Sequence, residues 1–119
     1  MGYLESMEAA GATVHEFRHF GSYQGEWYAH ITYEGDTGWV RGTYGSCSGC
    51  DAFQDEFGWR EDETPEKLAE FGRTYCETLL PFGHYFLELY IQSQTDSESE
   101  KALRWMADME IKYLQEKQA

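Results

Sequence analysis

The chain has 119 residues and a net charge of −13, with 22 acidic against 9 basic side chains, and 17% of its residues are aromatic. That length fits a single domain over residues 1–119, with a core that needs no disulfides, and the charge opposes direct binding to phosphate backbones. No apolar run reaches membrane-spanning length, and Met1–Glu8 has neither a basic segment nor an apolar core, so the expected setting is the cytoplasm, away from membranes.

The first expected strand is Thr13–Phe20, which Gly21-Ser-Tyr-Gln-Gly25 turns into a second. In that second strand Trp27, Ala29, Ile31 and Tyr33 alternate with Glu26, Tyr28, His30, Thr32 and Glu34, the period of a strand with one buried face. His30 then falls on the polar side, while His15 and His19, four residues apart, share a face of the first strand. Glu34-Gly-Asp-Thr-Gly38 makes a hairpin turn, and Trp39–Tyr44 returns from it. The acidic focus follows: Asp51–Gly72 holds eight acids and two bases. Its runs Asp55-Glu56 and Glu61-Asp62-Glu63 read as solvated loop, because catalytic carboxylates need surroundings that set their pKa values apart.

Thr64-Pro65 opens a helix over residues 65–80, with threonine as cap and proline at the first helical position. Leu68, Phe71, Gly72, Tyr75, Cys76 and Leu79 share one face, and Gly72 there is expected to bring the helix close to the sheet. Pro81 and Gly83 end it. Tyr85, Leu87, Leu89 and Ile91 alternate, so His84–Gln92 is expected to be a strand, with a short apolar helix as the other reading. The last helix, residues 98–116, starts at a capping-box pattern, Ser97-Glu-Ser-Glu100. Lys101, Arg104, Asp108, Lys112 and Gln115 fall on one narrow side of it, and apolar residues including Trp105 take most of the rest. That arc is wider than one sheet face covers, so the helix is either deeply enclosed or shared with a partner or a second copy. The whole reads as α+β: an antiparallel sheet of three to four strands, forming a hairpin-rich N-terminal half, packed against the two main helices.

Cys47 and Cys50 have the spacing of a metal knuckle. Cys76 and His84 could complete a zinc site, since zinc accepts thiolate and imidazole together. The competing reading is a turn holding reduced cysteines, because a second knuckle is missing and Cys76 lies on the core face of its helix. Redox chemistry is disfavoured by Asp51, Asp55 and Glu56, which oppose a thiolate. No cofactor is otherwise implied, and no nucleophile–base pair or phosphate loop can be recognised.

Two sets of binding residues remain. Tyr23, Gln24, Trp27, Tyr28, Trp39 and Tyr44 could stack on and hydrogen-bond a small ligand; Asp55, Glu56, Trp59 and Trp105 suit a protein partner. Ser22-Tyr-Gln-Gly-Glu-Trp27, taken with Tyr44-Gly-Ser-Cys-Ser-Gly-Cys-Asp51, resembles a group of small bacteriophage-encoded proteins that brings no activity or site residues with it. The resemblance implies an accessory protein that binds host machinery stoichiometrically, and the acidity suits a host protein with a basic groove. The expected function is therefore non-catalytic inhibition or modulation of a host factor, through acidic and aromatic surfaces. The alternatives are a protein that sequesters a nucleotide signal and a zinc-stabilised structural module.

Overall fold

A computed structural model describes residues 2–22, 24–45, 52–57 and 64–118, without the side chains of Gln54 and Asp55. The chain divides into two compact units, Met1–Leu79 and Leu80–Ala119. In the first, β1 (Thr13–Gly21), β2 (Gly25–Tyr33) and β3 (Asp36–Tyr44) form an antiparallel sheet in that order. The β2–β3 turn needs only two residues, Glu34 and Gly35, both left-handed with φ of 52° and 87°. Tyr33 therefore pairs with Asp36 and His30 with Trp39, and β3 begins three residues earlier than the longer turn expected from the sequence.

Three helices join this sheet. α1 (Tyr3–Ala9), which the sequence reading did not anticipate, buries Tyr3, Ser6 and Met7 and packs against α3 (Pro65–Cys76). Thr64 caps α3 by accepting a hydrogen bond from the Lys67 amide at 3.2 Å. The helix ends at Cys76, four residues short of the expected range. Gly72 does permit a close approach, but to α1 and not to the sheet: a Cβ there would strike the backbone of Ser6. α2 (Ala52–Glu56) is a single short turn beside β3. Tyr3 ties these pieces together. Its hydroxyl donates to the Thr43 carbonyl at 3.1 Å and accepts from the Phe53 amide at 3.2 Å, while its ring lies 5.1 Å from that of Trp27 and 5.7 Å from that of Tyr75. Met7, Trp27, Ala29, Ile31, Val40 and Cys76 complete the centre of the core.

The second unit is a helical hairpin, α4 (Phe82–Ser93) followed by α5 (Ser97–Gln118). The strand expected at 84–92 is thus a helix. Apolar residues satisfy both periods there, and helix wins because Tyr85 and Leu89, one turn apart, form the buried side while Phe86 and Tyr90 spoil the polar phase a strand requires. Pro81, in extended conformation, starts it. The α5 cap is Asp96, one residue before the expected box: its carboxylate accepts from the Glu98 amide at 3.2 Å and from the Ser99 hydroxyl at 2.8 Å. The fold class is α+β, with three strands. Among the described residues no helix is long and apolar enough to cross a membrane.

Candidate functional site

Because Gly72 lets α3 lie against α1, alanines can line the junction. A cleft of about 300 Å³ opens there, lined by Ala9, Ala10 and Ala69 together with Glu66, Glu70 and Arg73. A second cleft, of about 250 Å³, lies at the other end of α3. Its lining comes from the β2–β3 hairpin (Tyr33, Glu34 and Asp36) and from the end of α3 with the turn that follows (Cys76, Glu77 and Leu79). Three of those six residues are carboxylates and none is a base. Arg73 is the nearby cation, its Nε 3.9 Å from Glu77, with both side chains more than half exposed, so the pair contributes little.

The electrostatics follow from this lining. The Tyr33 phenol is held above its ordinary value, first by loss of hydration and then by Glu34, Cys76 and Glu77, with Arg73 opposing. Burial pushes the Cys76 thiol up to about 11, and Glu77 adds to the shift. At neutral pH Cys76 is therefore an uncharged core side chain, poorly suited to attack a substrate or to bind a metal as thiolate. What the cleft can do is attract a cation such as an ammonium or guanidinium, because its lining holds three acidic residues and no basic one.

The residues singled out from sequence are widely scattered. Trp27 and Tyr44 lie on the side of the sheet that faces the core cluster, while Tyr28 and Trp39 lie on the other side. All four are buried, so they do not form one stacking wall open to solvent. Trp27 Nε1 has no acceptor among the described residues. Gln24 is exposed after β1, Glu56 is exposed on α2, and Trp105 is half-buried on α5. Of the proposed zinc ligands, Cys76 is in the core, and His84 is exposed on α4 with its ring 5.6 Å from Tyr85. Tyr23, Cys47, Cys50, Trp59 and the side chain of Asp55 lie outside the described residues. Among those described, no cluster of three histidine, cysteine or acidic side chains could hold a metal.

The histidines are arranged differently from the sequence reading. A register shift between Val14 and Glu16 turns His15 onto the side of the sheet carrying His30, so His15 and His19 face opposite ways. His15 Nε2 lies 2.7 Å from the Thr32 hydroxyl, itself 2.7 Å from that of Thr37, a hydrogen-bonded chain across all three strands. His30 is buried, not on a polar surface, between the rings of His15 at 5.3 Å and Trp39 at 4.8 Å. Beside them the Tyr28 hydroxyl donates to Glu26, and burial together with that carboxylate raises the phenol far above its usual range. These contacts fix strand register, with the hydroxyls committed to neighbours on the sheet.

The clefts beside α3 were missed from sequence. Glu77 is some forty residues along the chain from Glu34 and Asp36, and the two-residue turn and the early end of α3 place all three in the lining of one cleft. No protein-family model, curated protein or solved structure matches this chain.

Proposed function

We propose that this chain is a non-catalytic binding protein that engages a basic surface of another protein. The observation that carries the reading is the cleft lined by Tyr33, Glu34, Asp36, Cys76, Glu77 and Leu79, where three of the six lining residues are acidic and none is basic. The cleft between α1 and α3, whose lining includes Glu66 and Glu70 as well as Arg73, adds two more carboxylates along α3. A net charge of −13 steers cationic partners toward the molecule and keeps nucleic acid away. The likeness of Ser22–Trp27 and Tyr44–Asp51 to small phage proteins supports placing that partner in a bacterial host, as a factor inhibited or modulated by occupancy of its basic groove.

The test is retention of basic proteins from bacterial lysate on the immobilised chain. Retention should fall steeply with added salt, because exposed charge pairs are screened. It should also be lost in the triple variant Glu34→Gln, Asp36→Asn, Glu77→Gln. Empty eluates at low salt, or equal retention by the triple variant, would refute the proposal.

A further inference from the structure

We draw no further inference here: the strongest candidate, the exposed apolar stripe of Phe86, Leu87, Tyr90 and Ile91 on α4, carries nothing because nothing in the structure shows what covers it.

Discussion

Replacing Gly72 by alanine sets two effects of known sign against each other. In an exposed helix the change stabilises by about 1 kcal/mol, since glycine has more chain entropy to lose. At Gly72 the new methyl would meet the Ser6 carbonyl and the Met7 amide, backbone groups that cannot rotate away. α1 would have to lift off α3, and Tyr3 and Met7, both fully buried, would lose part of their packing. Overpacking costs about 1–3 kcal/mol, and burial of each of those side chains is worth about 2 kcal/mol when complete, so a net loss of about 2 kcal/mol is expected after the propensity gain. Urea unfolding followed by tryptophan fluorescence reads this as a lower midpoint at unchanged slope. Gly83 supplies the control, because a Cβ there meets nothing within 4 Å and alanine should be neutral or mildly stabilising. If Gly72→Ala behaves like Gly83→Ala, the backbone-to-backbone crossing of α1 and α3 does not exist.

Asp96→Ala should lower the melting temperature of the α4–α5 hairpin at neutral pH, since the Glu98 amide and the Ser99 hydroxyl lose their acceptor. The Ser99 hydroxyl and then the Glu98 amide hold the Asp96 carboxyl below the usual carboxylate range. Its contribution is therefore complete above that range and fades as pH falls through the lowered value, and the two melting curves should converge in acid. Equal melting at neutral pH would contradict this cap. With Cys47 and Cys50 replaced by serine, Cys76 should resist a disulfide reagent at pH 8, where a thiol with a pKa of about 11 is roughly one part in a thousand thiolate. Unfolding in urea should expose it to immediate reaction, whereas rapid labelling of the native chain would show that Cys76 is not in the core.

The β-half was legible because its signals are local. Trp27, Ala29, Ile31 and Tyr33 alternate within one strand, and Glu34-Gly35 can adopt left-handed turn geometry without help from distant residues. Thr64-Pro65 announced α3 for the same reason. α4 was misread because a segment apolar on nearly every side carries no period, and only the partner helix α5 decides which residues are covered. α1 was missed because seven residues give too few repeats, although Tyr3, Ser6 and Met7 do sit at helical spacing. The bulge beside His15 left no mark that sequence could reveal, and it reversed the expected grouping of the histidines. The aromatic residues of β2 and β3 were sought as a ligand wall. Their abundance instead reflects a strand buried on both faces.

Recognition of positive charge at the hairpin end of α3 is the claim on which the functional reading stands. It can be measured directly by titrating the labelled chain with an arginine-rich peptide and following amide shifts by nuclear magnetic resonance. The expected result is a saturable response concentrated at Glu34, Asp36 and Glu77, abolished by salt and by neutralising those three side chains. Shifts spread evenly over every acidic residue, or none at saturating peptide, would contradict it.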